Sequence, residues 1–126
     1  MKTAITSENA PKAIGPYSQA IQAGNLLFLS GMLPINPATG EFVSDEISGQ
    51  TDQIFKNIKA LLNDAGSRLD KVVKTTVFLS DMSHFAAMNE VYSGYFSQPY
   101  PARSAFAVKS LPKNALVEIE VIALTE

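Results

Sequence analysis

Leu116-Val117-Glu118-Ile119-Glu120-Val121-Ile122-Ala123-Leu124 is the stretch on which the fold turns. Read as a strand, its side chains alternate between two faces. Val117, Ile119, Val121 and Ala123 point one way, and Leu116, Glu118, Glu120, Ile122 and Leu124 point the other. Both faces are apolar, and one has two carboxylates set into it. Leu26 to Met32 reads the same way, with Leu27 and Leu29 on one side and Leu26, Phe28 and Met32 on the other. Strands of this kind need cover on both sides.

Working back from the final strand, Leu111-Pro112-Lys113-Asn114 is a turn and Arg103 to Val108 an extended piece. Gln98 to Pro101 breaks the segment before it. From about Ser83 the spacing becomes helical, with Phe85, Met88, Tyr92, Tyr95 and Phe96 as the apolar stripe. Asp70 to Leu79 is rich in valine and threonine and reads as a strand. Ile47, Thr51, Ile54, Phe55, Ile58, Leu61, Leu62 and Ala65 mark a longer helix that Gly66 stops. The loop Pro34 to Glu46 turns at Thr39-Gly40, and Phe42-Val43 suits a short strand. Tyr17 to Ala23 is a strand joined to Leu26–Met32 by a Gly24-Asn25 hairpin. Ala10 to Pro16 is irregular, and the polar Met1 to Ala10 suggests neither a strand nor a secretion signal.

Residues 1–126 thus form a single α+β domain, two helices on one face of a sheet. Two helices cover one face only. The other face is a large apolar patch unless a second copy covers it, so a homo-oligomer of closed symmetry is expected, its order left open.

Composition narrows the function. Hydrophobic residues at 46% and charged ones at 17% are those of an ordinary globular chain. A net charge of -2 gives no drive toward nucleic acid or anionic membrane. With no cysteine, disulfides and thiolate metal sites are excluded. A single histidine, His84, excludes histidine-rich metal clusters and weakens any Ser-His-Asp triad; it reads as a surface or capping residue. No apolar run reaches membrane-spanning length, so the expected address is the cytoplasm.

The informative residues are polar ones in apolar patterns. Ser30 shares a strand face with Phe28 and Met32, and Glu118 and Glu120 share one with Ile122. A carboxylate there needs a hydrogen bond, a cation or a wet cleft. Arg103 is the nearest plausible cation, expected on the neighbouring strand. Asn89 lies one helical turn from Phe85 and Tyr92, and Tyr17 follows Gly15-Pro16. Each has a plainer explanation. Arg103 with one glutamate suits a structural ion pair equally well, and Ser30 and Asn89 suit hydrogen bonds to nearby backbone. Tyr17 suits a packed ring with a wet hydroxyl. Lys56, Lys59, Lys71, Lys74, Lys109 and Lys113 are scattered among acids and read as solvated.

Taken together, these positions resemble a known family. Ala13-Ile14-Gly15-Pro16-Tyr17-Ser18-Gln19-Ala20, Leu29-Ser30-Gly31, Val73-Lys74-Thr75-Thr76-Val77-Phe78-Leu79 and Met88-Asn89-Glu90-Val91-Tyr92 are similar to segments of the RidA (YjgF, L-PSP endoribonuclease) family. So are Pro101-Ala102-Arg103-Ser104, Leu111-Pro112-Lys113 and Val117-Glu118-Ile119-Glu120-Val121-Ile122-Ala123, in order and over nearly the whole chain. The resemblance implies a chorismate-mutase-like fold with a mixed sheet, and a homotrimer whose sheets form a central barrel with clefts between subunits. It implies hydrolysis of 2-imino acids, such as 2-iminopropanoate and 2-iminobutanoate, to 2-keto acids and ammonia without metal or organic cofactor.

On that resemblance Arg103 is the carboxylate-binding arginine and Glu118 orients the water and handles its proton. Tyr17, Ser30, Asn89 and Ala105 are matched to the pocket wall, Tyr17 coming from the opposite subunit. Ala105 stands where many members have cysteine, and keeps its function if that position acts through its backbone carbonyl. Met32 replaces a common glutamine, and Phe106-Ala107 a more usual valine-glutamate, which makes the pocket more apolar. The competing readings are a non-enzymatic trimer that senses small carboxylates or acts as a regulator or chaperone, and an endoribonuclease or translation inhibitor. The absence of a basic or aromatic platform counts against the last.

Overall fold

The computed structural model describes Met1–Glu126. Six strands form one sheet in the order β1-β2-β3-β6-β4-β5. They are β1 (Lys2–Ile5), β2 (Ala20–Ala23), β3 (Leu26–Leu29), β4 (Val72–Leu79), β5 (Ala102–Ala107) and β6 (Val117–Leu124). β4 and β5 run parallel and every other neighbouring pair is antiparallel, so the sheet is mixed. Two helices, α1 (Ile47–Asp64) and α2 (Phe85–Ser93), complete the architecture. No helix is long and apolar enough to cross a membrane.

The alternation in β6 sets the layers. Val117, Ile119, Val121 and Ala123 are buried together with Ile54, Phe55, Ile58, Leu61 and Leu62 of α1 and Met88 and Tyr92 of α2. These helical residues recur at three- and four-residue spacing and therefore form one stripe. Beyond α1, Gly66 adopts φ 83°, a left-handed conformation that closes the helix with little steric cost. The opposite sheet face is open: Phe28 and Phe106 are 41% and 44% exposed there, and Phe78 packs edge-on against Phe106. The expected apolar face without intramolecular cover is present.

Buried polar side chains tie the loops to this frame. Asn57 of α1 donates to the carbonyls of Leu33 and Ile35, fixing the chain after β3. Gln50 donates to the Ser44 carbonyl and accepts from the Leu116 amide, holding the entry to β6. Gln19 accepts from the Ser7 amide and donates to the Ser7 and Pro11 carbonyls, so one side chain moors the N-terminal segment. Ser7 and Asn9 also bond Asp64 at the end of α1, and these bonds hold its carboxyl below the usual range.

Several expected boundaries move. Lys2–Ile5 is a strand despite its polar sequence, because an edge strand with exposed faces needs only backbone pairing, here to β2. β2 begins at Ala20, leaving Tyr17 in irregular chain just after the Gly15-Pro16 bend. β3 stops at Leu29, and Met32 returns as an isolated bridge to Ile119. The interruption breaks alternation, so Met32 joins the core and does not share the exposed face of Phe28. Phe42 makes a single bridge to Ile35 and no strand. Tyr95 and Phe96 lie past the end of α2 but still pack on Phe55.

Candidate functional site

A hollow of about 470 Å³ opens beside the start of β6. Its lining brings together Tyr17, Ser30, Gly31, Met32 and Glu118, with Lys12 and Lys113 among the polar residues around them. Tyr17 is half exposed, and its hydroxyl accepts from the Ile14 amide. Ser30 Oγ donates to the Ser18 carbonyl at 2.6 Å, so its proton is already committed to backbone and only its lone pairs remain for a ligand. The plain expectation for Ser30 thus holds alongside its place in the hollow.

Glu118 is half buried, and no cation lies within ion-pair distance. Burial pushes its carboxyl above the usual range, and the negative charge of Glu120 on the same strand face adds to the effect. A carboxyl so placed takes and returns protons closer to neutral pH than an ordinary one. Gly31 makes its position possible. A Cβ at residue 31 would stand 2.0 Å from Glu118 Oε2 and 2.9 Å from its Cδ, which no side chain tolerates. Because the obstructed group is the flexible end of Glu118, the Gly31→Ala protein is expected to fold with a loss below about 1 kcal/mol. Its Glu118-dependent activity should fall at least about tenfold as the carboxylate is displaced. Chemical denaturation and steady-state rates on one preparation separate the two effects.

The remaining candidates lie elsewhere. Arg103 is exposed on β5. Its Nη1 donates to Asn89 Oδ1 at 2.6 Å, and its Cζ lies 4.7 Å from the Tyr92 ring centroid and 5.5 Å from that of Phe85. Neither ion pair of the chain includes it. Ala105, two residues on, points to the same side and packs partly buried against the core. Its methyl offers no chemistry, whereas β5, paired only to β4, leaves outward backbone groups unpaired.

Register shows why the two groups of residues stay apart. β4 separates β5 from β6, so Arg103 is not on the strand next to the glutamates, as the sequence suggested. Arg103 pairs with Thr75, which is buried under the helices, while Glu118 pairs with Phe78 on the open face. Guanidinium and carboxylate therefore project from opposite sides of the same sheet. The expected alternative of a structural Arg103–glutamate pair is overturned by the same geometry. Sequence reading took Phe85 and Tyr92 for core stripe only and missed their contact with Arg103. Their spacing around Asn89, at four residues before and three after, was the available signal.

The family model described as Endoribonuclease L-PSP matches residues 7–125. A RutC family protein of Pyrococcus horikoshii is 57% identical over 126 residues, covering 100% of both chains. The 2-iminobutanoate/2-iminopropanoate deaminase of Escherichia coli is 43% identical over 127 aligned residues, covering 98% of each chain. The crystal structure of E. coli TdcF with bound serine superposes with a TM-score of 0.91 at 40% identity, covering 97% of this chain and 98% of that one. A family model matching residues 7–125 and near-full-length similarity to these relatives show that the chain belongs to the Endoribonuclease L-PSP family, whose relatives here carry RutC and deaminase names.

Proposed function

We propose that this protein hydrolyses 2-imino acids to 2-keto acids and ammonia, in clefts that two copies complete within a homotrimer. The observation that carries the reading is the split site. One face of the sheet presents a half-buried carboxylate with no cation, and the other an exposed guanidinium with no carboxylate. Each half supplies what the other lacks. A second copy placed over the open sheet face also covers Phe28, Phe78 and Phe106, whose exposure would otherwise persist. The deaminase name borne by the E. coli relative and the serine bound to TdcF support a small amino-acid-like ligand.

In this reading Arg103 of one copy holds the substrate carboxylate by two parallel N–H donors. Glu118 of the neighbour, with Ser30 and Tyr17 beside it, orients a water toward the imine carbon. The water oxygen bonds to that carbon, the C=N π pair moves to nitrogen, and Glu118 accepts the water proton. It returns that proton to nitrogen to give the carbinolamine, then takes the hydroxyl proton and passes it to the same nitrogen, so that the C–N bond breaks, ammonia leaves and the C=O bond forms. Imines are reactive in water, so orientation and one proton shuttle account for useful acceleration.

The test generates an imine in place with an amino-acid oxidase, adds semicarbazide as a competing trap, and follows 2-keto acid release. The natural protein is expected to suppress trapping and the Arg103→Ala protein to fail. Equal trapping with and without the natural protein would remove the deaminase reading and favour a carboxylate-binding protein without hydrolytic activity.

A further inference from the structure

We propose that Tyr92, assisted by Phe85, is a positioning residue that sets the Arg103 guanidinium in place to receive a carboxylate before substrate arrives. The inference rests on the reading of Arg103 given above. An exposed arginine ordinarily samples many rotamers, and fixing it on a ligand costs affinity. Here the guanidinium lies 4.7 Å from the Tyr92 centroid and 5.5 Å from that of Phe85, distances at which a cation is attracted to a ring face. Asn89 takes a single N–H, from Nη1. The edge formed by Nε and Nη2 keeps its parallel donors for an incoming anion.

Tyr92 is itself immobile. It is 6% exposed, its ring meets Phe55 edge-on at 5.5 Å, and its hydroxyl bonds Thr75 Oγ1 at 2.8 Å. Thr75 is fully buried and is also the residue paired with Arg103 across β4 and β5. One threonine therefore anchors both ends of the arrangement: the backbone from which Arg103 springs and the ring beside which it comes to rest. A tyrosine needed only to fill the core would have no reason to place its face at a guanidinium that lacks any acidic partner.

The experiment titrates 2-ketobutanoate into the natural protein and into Arg103→Ala, Tyr92→Leu, Tyr92→Phe and Phe85→Leu proteins, with melting curves and steady-state rates for each. Tyr92→Leu and Phe85→Leu are expected to weaken binding about tenfold and to raise KM more than they lower kcat. Tyr92→Phe keeps the ring and should bind within about twofold of the natural protein while melting lower, because only the Thr75 bond is lost. If Tyr92→Leu does not fold, the partly exposed Phe85 decides. Natural affinity in both ring variants, with Arg103→Ala unable to bind, overturns the positioning role and leaves the site reading standing. Unchanged binding by Arg103→Ala, or no binding by the natural protein, overturns the site reading and this inference with it.

Discussion

Subunits carrying Arg103→Ala and subunits carrying Glu118→Gln are expected to regain activity when assembled together, although each protein alone is severely impaired. The reason is the register of the sheet. Arg103 shares its face with Thr75 and Glu118 shares its face with Phe78, so one copy cannot bring the two groups to one substrate. A cleft that takes its arginine from one copy and its glutamate from another is fully native when the arginine donor is a Glu118→Gln subunit and the glutamate donor an Arg103→Ala subunit. Random assembly from equal amounts makes about a quarter of clefts native. Co-expression, or refolding of a one-to-one mixture, followed by keto acid release measures that fraction. A mixture no more active than its components would mean that each subunit completes its own site, contrary to the strand order.

Glu118→Gln alone is expected to lower kcat by about a hundredfold, the usual contribution of a positioned proton shuttle. Its pH dependence is more informative than its size. The natural carboxyl titrates above the ordinary value of 4.5, first because burial disfavours its charge and second because Glu120 repels it. The ionised form accepts the water proton, so activity should fall as pH drops through this raised value, and Glu118→Gln should lack that limb. Glu120→Gln removes the repulsion and should move the limb to lower pH. Folding responds with the opposite sense. A raised carboxyl favours the folded state fully below the ordinary carboxylate range, and that contribution disappears as pH rises through the folded value. The Glu118→Gln protein should accordingly be no less stable than the natural one at neutral pH. A rate profile whose acid limb survives in Glu118→Gln would assign the proton to another group.

Much of this was legible in the chain because alternation and helical spacing are strong local signals. The β6 pattern gave the buried Val117, Ile119, Val121 and Ala123 and the carboxylate-bearing reverse face. The Phe28 exposure that calls for a second copy followed from the same reasoning. What failed was long-range. Nothing in the residues between Ala102 and Ala107 says that β5 pairs in parallel with β4 and not with β6, since strand neighbours are settled by how the two helices pack back on the sheet. Lys2–Ile5 was invisible because backbone pairing to β2 leaves no side-chain signature on an exposed edge. Met32 was placed on the wrong face because the pattern was carried across an interruption at Ser30-Gly31, the point where the chain bends to approach Glu118. Tyr17, Ser30 and Glu118 line one hollow, while Arg103 and Asn89 lie together on the other side of the sheet.

The position of each half in the sheet also sets its rigidity. β6 is hydrogen-bonded on both sides and its inner face is sealed by α1, so its amides become accessible to solvent only when the centre of the domain opens. β5 is held along one edge, and most of its side chains are exposed. Local breathing of that strand costs far less than opening the centre. The carboxylate thus sits on a strand paired on both sides and the guanidinium on a strand paired on one.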